Sequence, residues 1–169
     1  MKKVLMVIAP ETFRDEEYAH PKEVLESRGA EVVTASTRPG TCTGKLGMTA
    51  EATVAVSEAD ALEYDAVVFV GGGGSEVFFD DAYAHALARA ARANKRVLAA
   101  ICIAPSILAR AGLLNGWPAT AFESQREDLE AHGALWTGAP VTVEGHVITA
   151  SGPAAARDFG VAIANALGI

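Results

Sequence analysis

The sequence is poor in cysteine, with only Cys42 and Cys102 in 169 residues. Two thiols cannot build the disulfide framework of a small secreted domain, and neither has His or Cys neighbours at zinc-binding spacing. Both therefore read as free thiols in a reducing compartment, with no metal site. A basic stripe is missing as well. Net charge is −7 with acids and bases interspersed, which excludes a nucleic-acid surface. No apolar run approaches the ~20 residues that a membrane-spanning helix needs. Met1-Lys2-Lys3 followed by Val4 to Ala9 begins like a secretory leader, but the apolar stretch is short and Pro10-Glu11 ends it without a small-residue cleavage site. These residues read instead as the first buried strand of a cytoplasmic protein that binds no membrane. Low-complexity tracts and linkers are absent too, so residues 1–169 read as a single globular domain, half apolar and 21% charged.

What is present is an alternation of short apolar runs with longer amphipathic stretches. Val4–Ala9 predicts a strand and Asp15–Arg28 a helix closed by Gly29, with Pro21 predicting a kink or a later helix start. Ala30–Ser36 predicts a strand and Thr41–Val56 a hairpin or edge excursion. Asp65–Val70 predicts a strand that leads into Gly71-Gly72-Gly73-Gly74. Helices are expected over Asp81–Asn94, Ala104–Ala111, Ser124–Ala131 and from Pro153 to Leu167. Strands are expected over Arg96–Ile101, Ala119–Phe122, Ala134–Thr137, Val141–Val143 and Val147–Ala150. Repeated β-then-α units whose strands are apolar throughout predict an α/β fold with a mostly parallel sheet, covered on both faces.

In such sheets ligands bind beyond the carboxyl ends of the strands. Three chain segments arrive there with unusual content: Phe13-Arg14-Asp15-Glu16-Glu17, the four glycines, and Cys102-Ile103-Ala104-Pro105. Val97 to Ile101 should be central strand, whereas Pro105 suits the first turn of a helix. Cys102 therefore sits on a sharp reversal, with its sulfur over a helix N-terminus whose unpaired N–H groups favour thiolate. A buried small hydrophobe is the competing reading of a free cysteine. Cys42 lies in the polar run Gly40-Thr41-Cys42-Thr43-Gly44 and reads as structural. The glycine run permits close backbone approach, as an oxyanion hole or simply as a turn; the Lys and Ser/Thr of a phosphate loop do not follow it. Glu17 could hydrogen-bond the sulfur, although residue physics alone makes it a solvated charge beside Asp15 and Glu16.

These segments resemble the DJ-1/PfpI (ThiJ/PfpI) superfamily over nearly the whole length. The similarity runs through the opening strand with Phe13 to Glu17 and Pro21, Val68-Phe69-Val70-Gly71-Gly72, and the elbow Ala99-Ala100-Ile101-Cys102-Ile103-Ala104-Pro105. It ends in Thr149-Ala150-Ser151-Gly152-Pro153. The resemblance implies a flavodoxin-like three-layer sandwich, assembled as a homodimer or higher homo-oligomer, with no cofactor. It implies that Cys102 is the nucleophile, that Glu17 is its carboxyl partner, and that the N–H groups of Gly72 and Ile103 bind an oxyanion.

Departures from the family pattern narrow the activity. The peptidase-like branch carries a histidine directly after the cysteine, where this chain has Ile103, so Glu76, at the position of the glutamate that orients that histidine, has no imidazole to orient. Arg14 stands where many relatives have another acid, and Phe122 where tyrosine is common. His20, three residues after Glu17, could share its helical face and is a candidate accessory group. The leading expectation is a thiol-dependent enzyme acting on a small reactive carbonyl through a hemithioacetal, as a glyoxalase or deglycase. The alternatives are an intracellular cysteine peptidase, and a non-enzymatic redox sensor or holding chaperone of the stress response.

Overall fold

The computed structural model describes residues 1–169. The chain opens with β1 (Lys3–Val7), β2 (Glu11–Phe13), α1 (Asp15–Ser27) and β3 (Glu31–Ser36). A hairpin of β4 (Gly40–Gly44) and β5 (Thr49–Ala52) follows, then β6 (Val54–Ala55), β7 (Ala66–Phe69), α2 (Ala82–Ala93) and β8 (Val97–Ile101). The second half holds α3 (Pro105–Arg110), β9 (Pro118–Ala119), α4 (Arg126–Ala131) and β10 (Leu135–Trp136). It closes with β11 (Val141–Glu144), β12 (Val147–Ala150) and α5 (Ala156–Leu167).

Seven strands form the main sheet in the order β11-β12-β8-β7-β1-β3-β6, parallel except for the antiparallel β11–β12 edge. Alternation explains why the central strands read as unbroken apolar runs. In β1, Leu5 and Val7 enter one core and Val4 and Met6 the other; in β7, Val67 and Phe69 part from Ala66 and Val68 in the same way. Both faces are covered, so neither set can be polar. Leu87 and Ala88 of α2 and Ile107 and Leu108 of α3 seal one face. Tyr18 and Leu25 of α1 with Phe159 and Ile163 of α5 seal the other. The result is a flavodoxin-like three-layer sandwich. Its five long parallel strands follow the spatial order second-first-third-fourth-fifth, with the switch point between β1 and β7.

Three local expectations need correction. Helix α1 runs through Pro21 instead of starting there; the proline has no N–H to give the Glu17 carbonyl, and the helix continues regardless. Residues 11–13, read as part of a loop, form β2, which pairs parallel to β4 and completes a second, three-stranded sheet. Cys42, read as part of a polar loop, is a buried residue of β4, 1% exposed, packed in the core with its thiol 3.9 Å from the Gly40 carbonyl. Its neighbours Thr41 and Thr43 face outward by the strand alternation that buries it. No helix is long and apolar enough to cross a membrane.

Candidate active site

The ends of β1, β7 and β8 converge on one pocket of about 230 Å³, lined by Arg14, Glu17, Lys45, Gly72, Gly73, Cys102, Ile103, Phe122, Ser124 and Pro153. Cys102 follows the last residue of β8, with its N–H donating to the Ala150 carbonyl at 2.9 Å. Its φ is +64°, in the left-handed region that a residue with a Cβ seldom occupies. The reversal is forced from both sides, because β8 must end in register with β12 while Pro105 opens α3 three residues later. The carbonyl of Cys102 is also held, accepting from the Phe122 N–H at 2.8 Å. The elbow is therefore locked at N–H and carbonyl, and its strain persists because the surroundings overdetermine it.

Glu17 lies in the first turn of α1 and is fully buried. Gly71 is the spacer between its carboxyl and the cysteine: a Cβ at that position would fall 2.6 Å from the Cys102 Cβ and 2.7 Å from the Ile101 carbonyl oxygen. Gly72 has φ +95°, and a Cβ there would fall 2.6 Å from the Thr12 carbonyl oxygen, so this turn admits only glycine. Neither Glu17 oxygen has a partner at full hydrogen-bond geometry. The polar groups close enough to influence it are the Cys102 thiol, the Arg14 guanidinium, the Glu16 carboxylate and the Gly71 N–H.

The electrostatics follow from that burial. Loss of water lifts the Glu17 carboxyl to about 7, against the pull of the thiol and of Arg14. Burial likewise pushes the Cys102 thiol up to about 12, and the charge of Glu17 adds to the effect. The N–H groups of Gly72 and Ile103 act on the sulfur in the opposite sense. Burial and the Glu17 charge thus oppose the thiolate, while the two backbone donors favour it.

The other candidate residues separate. Arg14 lines the pocket and pairs with Glu16 at 3.0 Å. Ile103 lines it through the backbone turn that follows the cysteine. Glu76 lies on the exposed side of the turn over Gly73–Phe78, outside the pocket, and His20 is half-exposed on α1, beside Glu16 and away from the sulfur. His85 is engaged with the Phe79 carbonyl, His132 with that of Asp128, and His146 is exposed at the β11–β12 turn; no imidazole lines the pocket.

A model of the DJ-1/PfpI family matches residues 2–166. The chain belongs to this family. An uncharacterised protein of Methanocaldococcus jannaschii is 40% identical over 168 residues, which span 98% of this chain and 82% of that one. A deglycase of Pyrococcus horikoshii is 34% identical over 152 residues, spanning 90% and 91% of the two chains. The crystal structure of a ThiJ/PfpI domain protein from Brachyspira murdochii matches with a TM-score of 0.96 at 34% identity, covering 98% of this chain and 96% of its own.

Sequence reasoning missed two pocket residues, Lys45 and Ser124. Lys45 sits in the turn of the β4–β5 hairpin, where a charged residue is unremarkable, and only the docking of β2 against β4 brings that turn to the cysteine. A Gly44-Lys45-Leu46-Gly47 turn between two extended runs marks a hairpin, but nothing in it marks a pocket.

Proposed function

We propose that the protein is a thiol-dependent enzyme of small reactive carbonyls, using Cys102 as nucleophile and Glu17 as the group that takes and returns its proton. The observation that carries this reading is the fully buried carboxyl of Glu17, with no partner at full hydrogen-bond geometry, set against the thiol of a cysteine on a left-handed turn. A buried carboxyl without partners is costly to maintain, and such groups concentrate where proton transfer is needed.

The chemistry does not require a preformed thiolate. As the sulfur attacks an aldehyde carbon, the S–H proton passes to the Glu17 carboxylate, the S–C bond forms and the carbonyl π pair moves onto oxygen. The N–H groups of Gly72 and Ile103, already next to the sulfur, are within reach of that oxygen and stabilise its charge. Glu17 then returns the proton to give a neutral hemithioacetal. With methylglyoxal, Glu17 moves the proton of the adduct carbon to the neighbouring carbonyl carbon while the adduct's hydroxyl proton passes to that carbonyl's oxygen. The adduct becomes a lactoyl thioester, and water adds to its carbonyl carbon, breaking the C–S bond to release lactate and the thiol. A carboxyl near 7 suits both halves of this exchange at neutral pH. The deglycase name of the Pyrococcus relative agrees with carbonyl chemistry. Peptide hydrolysis needs an acid for a poorer, amine leaving group, and the pocket has no imidazole to supply it.

Methylglyoxal consumption by the wild type and by Cys102→Ala tests the assignment. The substitution should lower the rate by on the order of 10³-fold or more. Equal rates would end it.

A further inference from the structure

Beside the nucleophile the pocket contains two cations that the thiol–carboxyl chemistry leaves unused, Arg14 and Lys45. Both are positioned through their backbones. The Arg14 N–H donates to the Gly71 carbonyl at 3.0 Å, which ties it to the glycine between Glu17 and Cys102. The Lys45 N–H donates to the Phe13 carbonyl at 2.8 Å, so the hairpin turn is fastened to the residue before Arg14. Asp15, only 8% exposed, clamps the same turn from inside: Oδ1 accepts from the Leu46 N–H at 2.9 Å and Oδ2 from the Met48 N–H at 2.8 Å. A buried carboxylate is thus devoted to holding the loop that presents Lys45.

The positive charge is only partly neutralised. Arg14 gives Nε and Nη2 to Glu16, at 3.1 and 3.0 Å, and Nη1 has no partner. Lys45 joins none of the ion pairs of the protein. The one carboxyl lining the pocket is Glu17, which faces the sulfur; the Ser124 hydroxyl, also in the lining, donates to Gln125 Oε1 at 3.0 Å. A small cavity lined by two cations attracts anions of matching size.

We propose that Arg14 and Lys45 form an anion subsite of the Cys102 pocket, which selects small carbonyl compounds bearing a carboxylate or phosphate group. The inference rests on the preceding one in taking Cys102 as the reacting atom. The acid group sits on the two cations and leaves the carbonyl carbon facing the sulfur; bond changes are those of hemithioacetal formation.

Two alkylating reagents of nearly equal shape test the charge without requiring turnover. Iodoacetate and iodoacetamide react alike: the S–C bond forms, iodide leaves, and the thiol proton passes to Glu17 or water. They differ by one negative charge. With modification mapped at Cys102 by mass spectrometry, the iodoacetate-to-iodoacetamide rate ratio should exceed that of 2-mercaptoethanol by about fivefold, the effect of one unit charge at contact distance. Lys45→Glu and about 0.5 M salt should each reduce it toward the free-thiol value. A ratio equal to that of 2-mercaptoethanol and unmoved by Lys45→Glu overturns the subsite. Protection of Cys102 from iodoacetamide identifies the acid: glyoxylate protecting best assigns a carboxylate, glyceraldehyde 3-phosphate a phosphate. Propanal protecting as well as either overturns the subsite while leaving the thiol–aldehyde reading intact. Failure of every aldehyde to protect, with methylglyoxal turnover surviving Cys102→Ala, overturns that reading instead.

Discussion

Two acids two residues apart at the start of α1 are both buried and are put to opposite uses. Asp15 has both oxygens occupied by backbone donors of the β4–β5 turn. Glu17 has neither oxygen satisfied and faces a thiol across Gly71. Between them, Glu16 reaches outward to Arg14 as a partly exposed ion pair. A satisfied buried carboxylate strengthens a fold, whereas an unsatisfied one costs stability and is left with a proton affinity suited to chemistry. The difference lies in what the rest of the chain brings to each position, since the side chains are nearly the same.

The largest effects should come from Glu17. Replacement by Gln keeps the shape and removes the charge, and should lower methylglyoxal turnover by about 10²–10⁴-fold, the range for a lost general acid–base. Stability should move the other way. An ordinary glutamate ionises near 4.5, so ionising Glu17 in the folded protein is penalised up to about pH 7. Wild-type stability is therefore full below about pH 4.5, declines as pH rises toward 7, and levels off above it. Glu17→Gln escapes that decline and should be the more stable by about 3 kcal/mol above pH 7 in urea unfolding. Its alkylation profile should lose the step near pH 7. The Cys102 thiol should then ionise at lower pH than in the wild type, because the neighbouring negative charge is gone. A variant no more stable at pH 8 than the wild type would show that Glu17 is satisfied after all.

These contrasting fates show where sequence reasoning reaches its limit. The central strands were legible because burial on both faces leaves Val4 to Ala9 and Val97 to Ile101 apolar throughout. Cys102 was legible as an elbow because a strand and a helix-opening proline leave only three residues between Ile101 and Pro105 for the reversal. Asp15-Glu16-Glu17 looked like one charged helix face, because nothing local says that Leu46 and Met48 will reach Asp15 from 31 and 33 residues away. The resemblance of the whole segment to a family singled out Glu17 where residue physics did not. The donors Gly72 and Ile103 likewise came from that resemblance, whereas the depth of burial that opposes them at the sulfur was not visible in the sequence.

Asp15 offers the intermediate effect. Asp15→Ala removes the acceptor of two charge-assisted hydrogen bonds and leaves two backbone donors unsatisfied. It should cost about 3 kcal/mol in urea unfolding. The Lys45 turn should loosen, so the iodoacetate preference of Cys102 should fall even though no charge within the pocket has been removed. A stability loss with an unchanged preference would mean that the loop holds Lys45 by other means.

Glu16 should give the smallest change and the sharpest control. Its pair with Arg14 is about 29% exposed on either side, in the class of ion pairs that contribute less than about 1 kcal/mol. Glu16→Gln should therefore leave stability nearly unmoved and leave Glu17 and Cys102 in place. It should also release Arg14 to the pocket and raise the iodoacetate-to-iodoacetamide ratio, by about twofold at low salt. The three substitutions change adjacent acids in one stretch of helix, and only this one should strengthen anion recognition without removing the carboxyl beside the sulfur. If the ratio instead falls, Glu16 is holding Arg14 where the anion needs it, and the pair serves as a positioning device.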